Sequence, residues 1–422
     1  MKVVGIIAEY NPFHNGHAYQ IKKAKELTGA DYVVVVMSGN YVQRGTPALL
    51  DKFSRVSMAL KNGADLVFEL PVLWSTASAE YFAMAGITLL DRLGIVDYVS
   101  FGCETPNIPL LLTVSKILSN EPKVFSTLLK DFLKQGLTYP AAREKALLTY
   151  IDTIPSAPKN NCTENLHEIL ASPNNILAIE YCKALYKRNS KILPCPILRT
   201  GAGYHETDLH TTLSSASGLR KLLLSNEAFE SKTTLLSQNV PQTTLDYFTA
   251  SDTVFLSETD FSSMLYYKLF SEQPIGFTDY GDSSLFLSNR IINMLDSYLD
   301  FEQFCTLIKT KDMTHTRIRR LLLHILLNIR QKDYILGKEC DYILWLKLLG
   351  FRKDTSFLLK QIQKNCTLPL ISKTAKANTC LSSNAYTLFQ KEIWASNLYY
   401  GILAQKKNSF EKNEFQREIL RI

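Results

Sequence analysis

Val3-Val4-Gly5-Ile6-Ile7-Ala8 runs straight into Glu9-Tyr10-Asn11-Pro12-Phe13-His14-Asn15-Gly16-His17. The first six residues form an apolar, largely β-branched run that reads as a buried strand. His17 to Leu27 then shows helical spacing with a Lys-rich outer face, so H-x-G-H sits at a strand-to-helix turn. A helix that begins near Asn15 aims its free amide groups and positive dipole end at that turn. Gly16 lets a nucleotide lie close to the backbone. His14 and His17 can both donate hydrogen bonds to phosphate oxygens. Charge developing on an α-phosphate under in-line attack would be stabilised there without a covalent enzyme intermediate. Two incidental histidines at a helix start would carry the same four letters. Their place at the end of a first strand favours the nucleotide reading.

The following residues repeat the alternation. Tyr32–Met37, Asp65–Leu70 and Tyr98–Phe101 read as strands, and 51–61 and 75–93 as helices between them. Short apolar strands separated by helices imply a parallel sheet covered on both faces. Right-handed crossovers make it α/β, a doubly wound Rossmann-like sheet. Helical patterns follow over 106–150 and 174–187, and Ile192–Leu198, with two prolines, reads as an edge strand. From about Val240 onward no alternation is visible. Helical spacing recurs, notably in Thr316–Ile329 and Tyr342–Leu349. The expected division is a catalytic domain over 1–240 and a basic, mostly α-helical domain over 241–422.

Composition narrows the class. The 422 residues are 46% hydrophobic and 21% charged, a globular balance that argues against disorder. No apolar run approaches the roughly 20 residues of a membrane helix. The start of the chain lacks the basic, apolar and cleavage regions of a signal peptide, so a cytoplasmic protein is expected. The eight cysteines form no C-x-x-C pair and no His cluster completes a metal set, so reduced thiols are expected and no metal ligands are assigned. Gly201-Ala202-Gly203 lacks the rest of a dinucleotide fingerprint, and the zinc-deaminase pattern is absent. Charge is uneven. Phe301–Ile422 carries 21 Lys and Arg against 10 Asp and Glu, a net of +11, while the first 300 residues carry −4. Such asymmetry points to a polyanion such as nucleic acid, although a solvated Lys-rich surface would give the same count.

Further segments add to the candidate site. Leu213-Ser214-Ser215-Ala216-Ser217-Gly218-Leu219-Arg220 puts hydroxyls and a cation at the start of another helix, where a second phosphate could be held. Arg199 lies at a strand end. Gly102, after the fourth strand, can let a base or ribose approach. Ser38–Gly45, including Arg44, should lie at the carboxyl edge of the sheet, with Lys52 and Arg55 adding positive charge there.

Taken in order, these strings resemble one family. Ile7–His17, Met37-Ser38-Gly39-Asn40-Tyr41-Val42-Gln43-Arg44-Gly45, Gly63–Pro71, Phe101-Gly102-Cys103-Glu104, Pro173–Tyr181, Arg199–His205 and Thr316–His324 are similar to the bacterial tRNA(Met) cytidine acetate ligases, nucleotidylyltransferases with H-x-G-H. The resemblance implies ATP and acetate as substrates, an acetyl-adenylate, and transfer of acetyl to the exocyclic amine of the wobble cytidine in the anticodon of elongator tRNA(Met). It places ATP on Ile7, Ala8, Glu9, Tyr10, Asn11, Pro12, Phe13, His14, Asn15, Gly16, His17, Ala18, Tyr19 and Gln20, with Gly102, Asn174 or Asn175, and Arg199. Ser214, Ser215 and Arg220 would form the second phosphate clamp. His14 and His17 would be catalytic. Mg²⁺ is implied by the ATP chemistry. Arg44, Lys52, Arg317, Arg319 and Arg320 are the expected tRNA contacts. Gly218, where a bulkier residue is usual, and Ala178 depart from the pattern. Two other readings stay open: a small-molecule adenylyltransferase, and an RNA- or ribosome-associated protein with a vestigial ATP site.

Overall fold

The computed structural model describes residues 1–137, 139–154, 162–199, 215–311 and 313–422. Ten strands occur among them: β1 (Val3–Ala8), β2 (Tyr32–Ser38), β3 (Tyr41–Val42), β4 (Thr46–Pro47), β5 (Leu66–Leu70), β6 (Tyr98–Cys103), β7 (Leu193–Leu198), β8 (Leu346–Phe351), β9 (Leu370–Ile371) and β10 (Leu420–Arg421). β3 and β4 form a small antiparallel hairpin. The others build one sheet in the order β10-β8-β5-β2-β1-β6-β7, with β9 pairing β8.

Four consecutive valines, Val33 to Val36, explain why the centre holds. All are fully buried, with Val33 and Val35 in one core and Val34 and Val36 in the other. Each such burial stabilises by roughly 1.5–3 kcal/mol. The chain leaves β1 for β2 and β5 on one side and returns to β6 and β7 on the other. The reversal between β1 and β6 opens the crevice where α/β sheets bind ligands. β7, with Pro194 and Pro196, is at the edge as expected.

The residues after 240 are mostly helical but also supply strands. Tyr342–Leu349 is not a helix. Its second half is strand β8, buried throughout and antiparallel to β5. A strand apolar on both faces has no two-residue period, so it mimics a buried helix in sequence. β10 extends the sheet further, parallel to β8. The sheet is therefore completed by the last third of the chain. Among the described residues no helix is long and apolar enough to cross a membrane.

Candidate active site

The turn after β1 is held by buried polar groups rather than by regular structure. Arg55, fully buried on the helix Lys52–Lys61, donates to the carbonyls of Glu9 (2.7 Å), Ser38 (3.1 Å), Leu50 (3.0 Å) and Gly39. It thus ties the exits of β1 and β2 together, its guanidinium bonded to carbonyls rather than offered at the carboxyl edge as expected. Asn11 accepts from the Leu49 N–H through Oδ1 (2.8 Å), and Glu9 Oε1 accepts from the Gln43 N–H (2.9 Å). Tyr10 has φ +48° and is buried against Phe13 and His17, with ring centroids 4.9 and 4.8 Å away.

His14 is the N-cap of the helix Asn15–Thr28. Its Nδ1 accepts from the Gly16 N–H at 3.0 Å, and His17 Nδ1 accepts from the His14 N–H at 3.3 Å. The two rings stack with centroids 3.8 Å apart. A Cβ on Gly16 would lie 2.8 Å from His14 Cε1, so only glycine lets the capping ring fold over the helix end. Burial, with the charges of Arg199 and Arg220, pushes the His14 imidazole down to about 3. His17 is held well below the ordinary value by burial, then by His14 and Arg199. Both rings are therefore neutral near pH 7. A neutral imidazole that accepts at Nδ1 carries its proton on Nε2. Neither Nε2 has a partner among the described residues. Two N–H donors are thus fixed in advance with the charges of two guanidinium groups nearby, which suits a polyphosphate.

The opposite wall comes from β6. Arg199 packs over Gly102, where a Cβ would sit 3.2 Å from Arg199 Cγ. Glu104 accepts from Asn174 Nδ2 (2.6 Å) and the Asn175 N–H (3.0 Å). Asn175 Oδ1 accepts from the N–H groups of Glu104 (2.9 Å) and Thr105 (3.1 Å). Asn175 is fully buried, with its amide spent on Thr105 and Glu168. It bears on the site through the loop it shapes. Burial raises the Cys103 thiol to about 12, so it is no nucleophile at neutral pH. Cys103, Cys182, Cys195, Cys305, Cys340, Cys366 and Cys380 are unpaired.

Arg220 joins the second segment to the first. Its Nη1 donates to the Asn11 carbonyl at 2.6 Å and its Nη2 to Ser217 Oγ at 3.0 Å. Ser215 caps the helix Ala216–Leu223 by accepting from the Gly218 N–H at 3.1 Å, so Gly218 costs the helix start no hydrogen bond. Ser214 and Thr200–His205 lie outside the described residues. Of the remaining expected residues, Gln20 donates to the Ser100 carbonyl (3.3 Å) and Asn15 to that of Gln238 (2.9 Å). Pro12 and Phe13 are buried, Ile7, Ala8 and Ala18 are half-buried, and Tyr19 is exposed.

Known proteins resemble this chain along nearly its whole length. The family described as HIGH Nucleotidyl Transferase matches residues 1–415. A tRNA(Met) cytidine acetate ligase of Clostridium tetani is 40% identical over 93% of this chain and 97% of its own. One from a Thermoanaerobacter species is 39% identical over 100% of both. This chain belongs to the tRNA(Met) cytidine acetate ligase family. Its fold also matches the crystal structure of Thermotoga maritima TmcAL bound with alpha-thio ATP, at 28% identity and a TM-score of 0.88 over 100% of both chains.

Within this family member the residues expected to meet tRNA fall into different places. Lys52 is not at a surface. It is fully buried against Glu69 and Glu414, each at 2.8 Å. Arg320 is buried and paired with Asp282 (2.7 and 3.2 Å). Arg319 pairs with Glu302 (2.9 and 2.6 Å), and Arg317 donates to the Asp282 carbonyl at 3.4 Å. The triplet looked like a basic strip because its carboxylate partners are 17 and 38 residues away in sequence. Arg44 and Arg319 face a common cavity. No group of three His, Cys, Asp or Glu among the described residues could hold a metal ion.

Proposed function

We propose that this chain is an ATP-dependent tRNA-modifying ligase. It activates acetate as acetyl-adenylate and acetylates N4 of the wobble cytidine of elongator tRNA(Met) in the cytoplasm. The names of its relatives and the ATP analogue in the matched structure support the substrates. The carrying observation is the stacked His14–His17 pair, with Arg199 and Arg220 near enough to disfavour a charged His14.

In the first step an acetate oxygen attacks the α-phosphorus of ATP and pyrophosphate leaves. The Nε2–H groups of His14 and His17 hold the oxygens on which charge builds. Neutral donors suit this role, because they need not lose a proton or reorganise. Arg199 and Arg220 balance the phosphate charge. In the second step the cytosine N4 attacks the acetyl carbonyl, AMP leaves, and the amine gives up one proton. The mixed anhydride is already reactive, so this step asks mainly for orientation. An anticodon loop presents its base unstacked at little cost.

Mass analysis of tRNA(Met) from cells lacking the protein tests this reading. Loss of an acetyl group from the wobble cytidine is expected. A retained acetyl mark would overturn it.

A further inference from the structure

Beside the H-x-G-H turn lies a cavity of about 340 Å³, within the range that admits a small ligand or a segment of a larger one. Arg44, Arg220, Lys221 and Arg319 line it, against the single carboxylate of Glu258. His14, His17, Gly102 and Arg199 do not line it. Of the described residues expected to meet ATP, only Arg220 lines it. Asn11 is tied to two of its walls: Arg220 Nη1 donates to the Asn11 carbonyl (2.6 Å), and the Leu49 N–H donates to Asn11 Oδ1 (2.8 Å).

The cavity is preformed by contacts between distant parts of the chain. Gly45, at the β3–β4 tip, has φ +79°, and a Cβ there would lie 2.6 Å from the Arg319 carbonyl carbon. The hairpin tip thus rests directly on the helix His315–Leu326, which brings Arg44 and Arg319 to one space. Glu302 and Glu258 hold the Arg319 guanidinium at 2.6 and 3.6 Å. Lys221 is exposed and has no carboxylate partner among the described residues. Leu224, 41% exposed, adds an apolar wall beside these charges.

We propose that this cavity seats the RNA strand next to the target cytidine, with a phosphodiester on Lys221 and Arg44 and a ribose or base on Leu224. The proposal rests on the ligase reading above. Several cations around an exposed apolar surface suit a single-stranded polyanion. One wall also comes from the segment that carries the chain's excess positive charge.

The test uses Lys221→Glu and the milder Lys221→Gln in the full-length protein, with unmodified tRNA(Met). Three quantities are read: tRNA affinity across a salt series, acetate-dependent ATP–pyrophosphate exchange without tRNA, and the KM for ATP. Lys221→Glu is expected to weaken tRNA binding at least tenfold and Lys221→Gln less, with the log–log salt slope falling by about 0.7 per lost contact. Exchange and the KM for ATP should stay within twofold of wild type. Unchanged affinity and slope would overturn the proposal. A raised KM for ATP with tRNA affinity intact would also overturn it, assigning the cavity to the triphosphate tail. Failure of the ligase reading itself would show separately, as wild-type protein without acetate-dependent exchange.

Discussion

Lys52 and Glu414, 362 positions apart, meet at 2.8 Å with both side chains closed to solvent. Lys52 also holds Glu69 at 2.8 Å, and Lys347 on β8 reaches both carboxylates. Glu392, on the helix Ser383–Lys407, completes the group by accepting from the Val72 N–H at 2.6 Å. Two ammonium groups face three carboxylates, so one carboxyl is driven neutral. It is Glu392, pushed up to about 8 by burial and then by the charge of Glu69. The network fastens the end of the chain to the edge of the sheet that carries the site.

Removing one buried partner leaves charges uncompensated. Lys52→Ala is expected to lower unfolding free energy by about 3–5 kcal/mol in urea titration. A loss below about 1 kcal/mol would show that the network contributes little.

Glu392 also gives a sign to the pH dependence. Its folded pKa lies above the unfolded value, so its contribution is fully present below about pH 4.5 and fades as pH rises towards 8. His14, His17, His315 and His324 are shifted the other way, mainly by burial, and their effect levels off above about pH 6.5. Between pH 6.5 and 8 wild type should lose about 1.5 kcal/mol that Glu392→Gln does not lose. Parallel stability curves for the two proteins would contradict the neutral Glu392.

His14 has two separable tasks. His14→Ala should remove a cap, costing about 1 kcal/mol of stability, and a donor, slowing adenylate formation by about 10²–10³. His14→Asn keeps a capping acceptor, so it should recover stability without recovering rate. Thermal unfolding and single-turnover adenylation distinguish the two.

At the hairpin tip, Gly45→Ala forces a Cβ into the backbone of the arginine helix at a positive φ. A loss of about 1–3 kcal/mol is expected, together with weaker tRNA-dependent turnover. Arg320→Ala should likewise lower stability, because it strands Asp282, and should leave the salt dependence of tRNA binding unchanged. A changed salt slope with normal stability would instead return Arg320 to the RNA surface.

The first strand and the helix start after it were legible because their signals are local. A β-branched run, a cap, a glycine and two histidines lie within 15 consecutive residues, Val3 to His17. β8 was not legible, because burial on both faces erased its period. Lys52 and Arg55 read as charge offered to a ligand at the carboxyl edge, since the carboxylates and carbonyls that bury them come from other elements. The arginines of Thr316–His324 read as free cations for the same reason. Spacing along the chain says nothing about partners recruited by the fold.

The central claim is that the H-x-G-H turn polarises ATP for attack by acetate. Pyrophosphate exchange into ATP, measured without tRNA in wild type and His17→Ala, addresses it most directly. Wild type should exchange only when acetate is added, and His17→Ala should lose that exchange while binding tRNA normally. Exchange that ignores acetate, or that survives in His17→Ala at the wild-type rate, would contradict it.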